Sequence, residues 1–348
     1  MKLPKTKFVF LCYALLLVSP ISGLAIPYSG VTIFGDSLSD NGNVSILLGG
    51  ATTPLPIPGN DFIPSEPYNR PAPLLAALSN GPIWAEHLAN KLGLGLKPSL
   101  LGGSNYAFGG ARLAGNGTVP PSVRDQVNTF LGAIDATPGP DAPKDSLYVV
   151  WGGGNDARDA VAAVLTTGDP NAADGFVTGF INDLTWIMDS LASEGVQQVL
   201  VPNIPDLGLT PAIQSIGSQA AATATSISQL FNNQANNLLK SLSGTLGLDI
   251  IALDVFGLIN QAAANPAKFG LTNVTDACAA DPNCIADPSG YLFWDGIHPT
   301  TATHAIIGEA ALRVLPKTAG VPEPATWLLF LIGLFCSKGL SGQRKHSV

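Results

Sequence analysis

Short apolar runs alternate with long helical patterns along this chain, and the runs break off at small or polar turn residues. Residues 31–34 run into Gly35, Asp36 and Ser37, and residues 147–151 run into Gly152, Gly153, Gly154 and Asn155. An apolar passage at 104–112 ends in paired glycines, residues 198–201 form another run, and 249–254 read as a fifth short strand. Helical patterns occupy 123–134, 174–194, 211–241 and 301–314, and Pro82 opens a further helix with Trp84, Leu88 and Leu92 four residues apart. Strands joined through helices of about ten or more residues lie parallel, with helices on both faces of the sheet. The fold class is therefore α/β. In such sheets ligands gather beyond the carboxyl ends of the strands. Ser37, Gly109 and Asn155 each stand just past an apolar run, at that end.

Two stretches lie outside this pattern. Lys2, Lys5 and Lys7 precede an apolar run at 8–18, and Gly23, Leu24 and Ala25 offer a cleavage site. That is the charge, length and order of a secretory signal peptide. The run is shorter than the ~20 residues of a spanning helix. Near the other end, Val321, Pro322, Glu323 and Pro324 precede an apolar run at 325–336, followed by Lys338, Arg344 and Lys345. Two prolines in four residues cannot continue a helix, so they separate this tail from what precedes it. As a bare pattern it reads as a membrane anchor or as a sorting tail. The expected domains are a signal peptide at 1–25, one folded domain at 26–316, and a linker with tail at 317–348. Charged residues make up 12% and the net charge is −8. Such a surface has no basic footprint for nucleic acid and suits an exported protein.

Cys278 and Cys284 are the two cysteines left in the folded domain, because Cys12 and Cys336 belong to the terminal stretches. Six residues apart across a turn, they are expected to form a disulfide in an oxidising compartment. A metal site needs a ligand partner, and no histidine lies nearby at ligand spacing.

Ser37 by itself is either a helix cap or a nucleophile. A nucleophile needs a base, an orienter for that base, and donors for an oxyanion. Of four histidines, His346 lies in the tail, His87 in a mid-chain helix and His304 in the closing helix, which leaves His298. Asp295 precedes it by three residues, with Gly296 and Pro299 shaping a turn. A carboxylate so placed can accept from imidazole Nδ1–H and leave Nε2 facing a serine. Taken alone, the pair is also what a capping aspartate beside a surface histidine looks like. Gly109 offers an unobstructed backbone N–H and Asn155 an uncharged side-chain donor. Either also serves a plainer role, in a glycine turn or as a helix cap.

Together these residues resemble the GDSL, or SGNH, hydrolase family. Gly35-Asp36-Ser37-Leu38 looks like its first block, and the passage from Asn105 to Ala111 is similar to its second. Gly153, Gly154, Asn155 and Asp156 match its third, and Asp295-Gly296-Ile297-His298 its fifth, all in family order. The resemblance implies an SGNH hydrolase fold, a three-layer α/β/α sandwich around a flavodoxin-like five-stranded parallel sheet. It implies a serine esterase or lipase acting through an acyl-enzyme on Ser37, with His298 as base and Asp295 as its orienter. The oxyanion hole would comprise Ser37, Gly109 and Asn155, with no metal or cofactor. A longer likeness around Ser37, and Tyr291 to Asp295 ahead of the histidine, point to the lipase, phospholipase and hemolysin-like branch. The Gly-x-Ser-x-Gly elbow of α/β-hydrolases does not occur. The implied partner is an ester substrate: a small aryl or alkyl ester, a lipid or an acylated polysaccharide. Two other readings stand beside hydrolysis: an acyltransferase using the same site, and a non-catalytic envelope or matrix binding protein. The tail resembles bacterial PEP-CTERM sorting tails. That implies a tail-processing membrane enzyme as a further partner, and a destination in the periplasm, the outer envelope or the medium. Residues 41–72, dense in Gly, Pro and Asn, are expected to be a binding loop near Ser37.

Overall fold

Strand β1 (Gly30–Gly35) carries the candidate serine turn at its end, and its β-branched and aromatic residues are buried on both faces. A parallel strand covered by helices on either side requires that pattern. The computed structural model describes residues 28–49, 70, 74–115, 119–136 and 142–316. The signal peptide, the tail and most of the 41–72 loop lie outside the described residues.

β1 pairs in parallel with β2 (Ser146–Trp151), from Gly30 opposite Ser146 to Gly35 opposite Trp151. β2 pairs with β3 (Gln198–Pro202) and β3 with β4 (Asp249–Leu253), all parallel, in the order β1-β2-β3-β4. The sheet thus has four strands where the resemblance implied five. On the other side of β1 runs the extended segment 104–108. Ile33 N–H donates to Ser104 O at 3.0 Å, Tyr106 N–H to Ile33 O at 2.8 Å, and Phe108 N–H to Gly35 O at 3.2 Å. Asn105 forms an isolated parallel bridge with Ile33. The turn at Gly109 and Gly110 ends this ladder before it becomes a regular strand. A separate parallel pair, β5 (Asn273–Ala277) and β6 (Tyr291–Phe293), leads into the His298 loop.

Ten α-helices occur among the described residues. They are α1 (Asn43–Leu47), α2 (Trp84–Lys91), α3 (Val123–Asp135), α4 (Gly154–Thr167) and α5 (Asp174–Ser193), followed by α6 (Pro211–Gln214), α7 (Ser218–Leu246), α8 (Val255–Ala264), α9 (Pro282–Ala286) and α10 (Thr301–Val314). Successive residues of β1 point to opposite faces. Phe34 packs with Tyr148, Val150 and Val199 against residues of α3, α4, α5 and α7. Ile33 packs with Val149, Trp151 and Leu200 against residues of α2, α8 and α10. The result is an α/β/α layering with an apolar core on each side. Each large side chain so buried contributes about 1.5–3 kcal/mol. The Phe34 ring also lies 5.6 Å from Tyr106 and 5.4 Å from Phe130, which ties the 104–108 segment and α3 to β1. No helix among the described residues is long and apolar enough to cross a membrane.

Candidate active site

The end of β1 is held by its neighbour β2 and by the side chain of Gln126. A Cβ on Gly35 would lie 2.5 Å from the Trp151 carbonyl oxygen, so only glycine lets the strand end lie so close to β2. The buried Gln126 amide brackets the same residue: Gly35 N–H donates to Oε1 and Nε2 donates to Gly35 O, both at 2.8 Å. Asp36 then makes the turn. Its Oδ1 accepts from Leu38 N–H at 3.0 Å, and its carbonyl accepts from Ser39 and Asp40 N–H, each at 3.0 Å. This local bonding is what an aspartate in a turn supplies. It carries Ser37 past the strand, at 9% exposure.

The histidine arrives from the far end of the chain, on the loop between β6 and α10. Asp295 Oδ1 accepts from Ile297 N–H at 2.8 Å and from His298 N–H at 2.7 Å, which folds the turn around the carboxylate. Its Oδ2 lies 2.7 Å from His298 Nδ1. His298 Nε2 lies 2.9 Å from Ser37 Oγ. Asp295 is 0% exposed and His298 2%. An ionised carboxylate only accepts, so Nδ1 carries the proton and the Nε2 lone pair faces the serine hydroxyl.

Asn155 stands in the first turn of α4, just past β2. The helix is preceded by its N-cap Gly153, whose φ of 98° is left-handed and whose Cβ would meet the Phe180 ring at 2.4 Å. Asn155 Nδ2 donates to Ala111 O at 2.8 Å, and its Oδ1 lies 3.5 Å from Arg158 Nη1. Ser37, Asn155 and His298 border one cavity. Gly109 is engaged elsewhere. Its N–H donates to Asp40 Oδ2 at 2.8 Å, so the expected oxyanion donor is bonded to a buried carboxylate. The next residue, Gly110, has a φ of 81° and its N–H makes no hydrogen bond among the described residues.

Asp40 is the residue the sequence reading passed over. Its two oxygens take the N–H groups of Gly42, Asn43, Val44 and Gly109. Beside it, Asn43 Nδ2 donates to Asn105 O and Ala107 O, while Asn105 Nδ2 donates to Ser39 O and Asn41 Oδ1. This buried network joins the serine turn to the 104–110 segment. The one local signal is Asn41, Gly42 and Asn43 directly after Asp40, which open the stretch expected to be a binding loop.

Burial dominates the titration of the nearby acids. Asp36 and Asp156 are both pushed up to about 6, chiefly by loss of water, against the lowering effect of backbone bonds from Leu38 and Leu113. Asp40 is raised for the same reason. His304 is fully buried and held well below the ordinary histidine value, and His87 pairs with Thr301, so neither reaches the serine. Cys278 and Cys284 are joined by a disulfide with Cα atoms 5.2 Å apart. Among the described residues no group of three His, Cys, Asp or Glu is placed to hold a metal ion.

A family model described as GDSL-like Lipase/Acylhydrolase matches residues 31–311. "Lipase 1" of Photorhabdus luminescens is 26% identical over 381 residues, covering 89% of this chain and 54% of that protein. "Esterase EstA" of Pseudomonas aeruginosa is 28% identical over 322 residues, covering 83% of this chain and 47% of that protein. The chain thus spans about half the length of these relatives. "Phosphatidylcholine-sterol acyltransferase" of Aeromonas hydrophila is 25% identical over 334 residues, covering 82% of this chain and 89% of that protein. A solved lipolytic G-D-S-L family protein from Veillonella parvula gives a TM-score of 0.39 at 12% identity, covering 82% of this chain and 97% of that one.

Proposed function

This chain belongs to the GDSL-like lipase/acylhydrolase family, and from that premise we propose that it is an exported serine hydrolase of carboxylic esters. The observation that carries the reading is the continuous relay from Asp295 Oδ2 through His298 to Ser37 Oγ, with contacts of 2.7 and 2.9 Å. In the proposed reaction His298 Nε2 takes the Ser37 proton as Oγ attacks the ester carbonyl carbon. The tetrahedral oxyanion is met by the Ser37 N–H and the Asn155 side-chain amide. As the third donor we assign Gly110 in place of Gly109, since Asp40 holds the Gly109 N–H. Collapse expels the alcohol, which takes the proton from His298 and leaves an ester on Oγ. Water then repeats the sequence, releasing the acid and restoring the serine. Asp295 stays ionised throughout, holding the tautomer and stabilising the imidazolium.

Labelling with a fluorophosphonate, followed by peptide mass spectrometry, tests the assignment. The adduct is expected on Ser37, and an adduct on any other serine contradicts it.

Acyl transfer to an alcohol acceptor is a second reading of the same site. A relative named as an acyltransferase, matched over 89% of its length, favours it. Analysis of products with an added alcohol separates the two, since transfer yields a new ester in place of free acid.

The finer reading of the fold is flavodoxin-like. With the 104–108 segment counted as the outer neighbour of β1, the order becomes that of a doubly wound 2-1-3-4-5 sheet. We further assign residues 1–25 to an export signal, 26–316 to the hydrolase domain and 317–348 to a PEP-CTERM-like sorting tail. A disulfide in the domain supports an oxidising destination. Cell fractionation tests this: full-length protein retained in the cytoplasm contradicts it.

A further inference from the structure

Ser37 and His298 border a cavity of about 60 Å³. Six of its walls are Trp151, Val255, Ile259, Leu292, Phe293 and Ile307, none more than 4% exposed. All six belong to the apolar core on one face of the sheet. Three charged residues also line it, and each is engaged: Asp206 accepts from Gly208, Thr225 and Asn260, Asp36 accepts from Leu38 N–H, and Arg158 Nη1 lies 3.5 Å from Asn155 Oδ1.

The two halves of an ester need different surroundings. The alcohol must leave and water must then reach the carbonyl carbon beside His298, so that side has to open to solvent. The acyl group stays on Ser37 Oγ through both steps, and an enclosed apolar wall stabilises it by removing its surface from water. An apolar cavity walled by core side chains therefore suits the acyl half. Its size sets a limit. A water-sized group takes about 10–15 Å³ of such space, so 60 Å³ holds about four to six non-hydrogen atoms.

Building on the ester-hydrolase reading above, we propose that this cavity is the acyl pocket and that it selects short acyl chains, of about four to six carbons. A longer chain must leave its end in water or displace close-packed core side chains, and overpacking such a core is costly.

The test is a series of 4-nitrophenyl esters from acetyl to hexadecanoyl on the full chain, with a second series holding butanoyl constant and varying the alcohol. On this account kcat/KM rises about fourfold per methylene up to the limit, then falls at least about tenfold by dodecanoyl as added carbons press on close-packed core side chains. The alcohol series shows no comparable cut-off. Ile259→Ala moves the acyl optimum to longer chains, Ile259→Phe moves it toward acetyl, and Ile259→Val gives a smaller lengthening should the alanine variant not fold. A wild-type optimum at octanoyl or beyond overturns the inference, as does a cut-off that follows the alcohol. Failure to turn over any ester overturns the hydrolase reading itself, and this inference with it.

Discussion

His298 Nε2 lies 2.9 Å from Ser37 Oγ although 261 positions separate the two residues in sequence. Neither residue sits on a long loop of its own. Ser37 hangs from the end of β1, and His298 from a turn wound around the Asp295 carboxylate. The parallel sheet thus meets the entropy of closing so long a loop once, for fold and site together.

Asp295→Asn isolates the role of that carboxylate. Asparagine keeps an oxygen for the Ile297 and His298 N–H groups but turns an amide toward Nδ1. The imidazole must then carry its proton on Nε2 and cannot accept from Ser37. Turnover is expected to fall on the order of 10⁴-fold, with the urea unfolding midpoint close to wild type. Wild-type kinetics from this variant contradict the orienting role.

Asn155→Ala removes a side-chain donor from the oxyanion site. A loss on the order of 10²–10³ in kcat is expected, with KM little changed, because the interaction strengthens as charge develops. Steady-state kinetics on a soluble ester read this directly. A rise in KM with kcat intact makes Asn155 a substrate-binding residue instead.

Asp40→Ala strands four N–H groups, of Gly42, Asn43, Val44 and Gly109. With unmet buried donors costing about 1–3 kcal/mol each where water cannot reach them, the expected destabilisation is on the order of 3 kcal/mol or more. Urea unfolding measures it. A change under about 1 kcal/mol shows that water replaces the carboxylate.

The raised carboxyls give stability a definite pH slope. Asp36 and Asp156 have folded values of about 6 against an ordinary 3.8, so the native state holds their protons more tightly than the unfolded chain. Their contribution is therefore greatest below about 4 and is lost as pH rises through about 6. Asp156→Asn removes one of the two, flattening the change in unfolding free energy, measured in urea, between pH 4 and 6.5 by on the order of 2–3 kcal/mol. An unchanged slope contradicts the burial argument.

Reducing the Cys278–Cys284 bridge is expected to cost roughly 2 kcal/mol, since it closes a short loop. Unfolding with and without reductant measures the loss, and a thiol count on unreduced, exported protein finds none free in the domain.

The four sheet strands were legible because each is an apolar run bounded by turn residues; β1, β2 and β3 are buried on both faces, while β4 at the sheet edge is only partly covered. Helix α4 was not, since Gly152, Gly153 and Gly154 at its head read as a loop, and α8 is apolar around most of its surface and shows no stripe. Strand β6, only three residues long, carries no period. The helical pattern over 211–241 divides at Gly217, whose φ of 125° stops one helix before the next begins. In the site, Asp295 and His298 stood out because their relation is local, three residues on one turn. Asp40 bonds Gly109 across 69 positions, a pairing no local spacing announces, and that bond leaves Gly110 as the one of the two adjacent glycines whose N–H is unbonded among the described residues.

The most direct test of the central claim is kcat of Ser37→Ala beside wild type on 4-nitrophenyl butanoate. Without Oγ there is no acyl-enzyme, and turnover is expected to fall at least about 10³-fold while the fold is retained. Turnover equal to wild type contradicts the account.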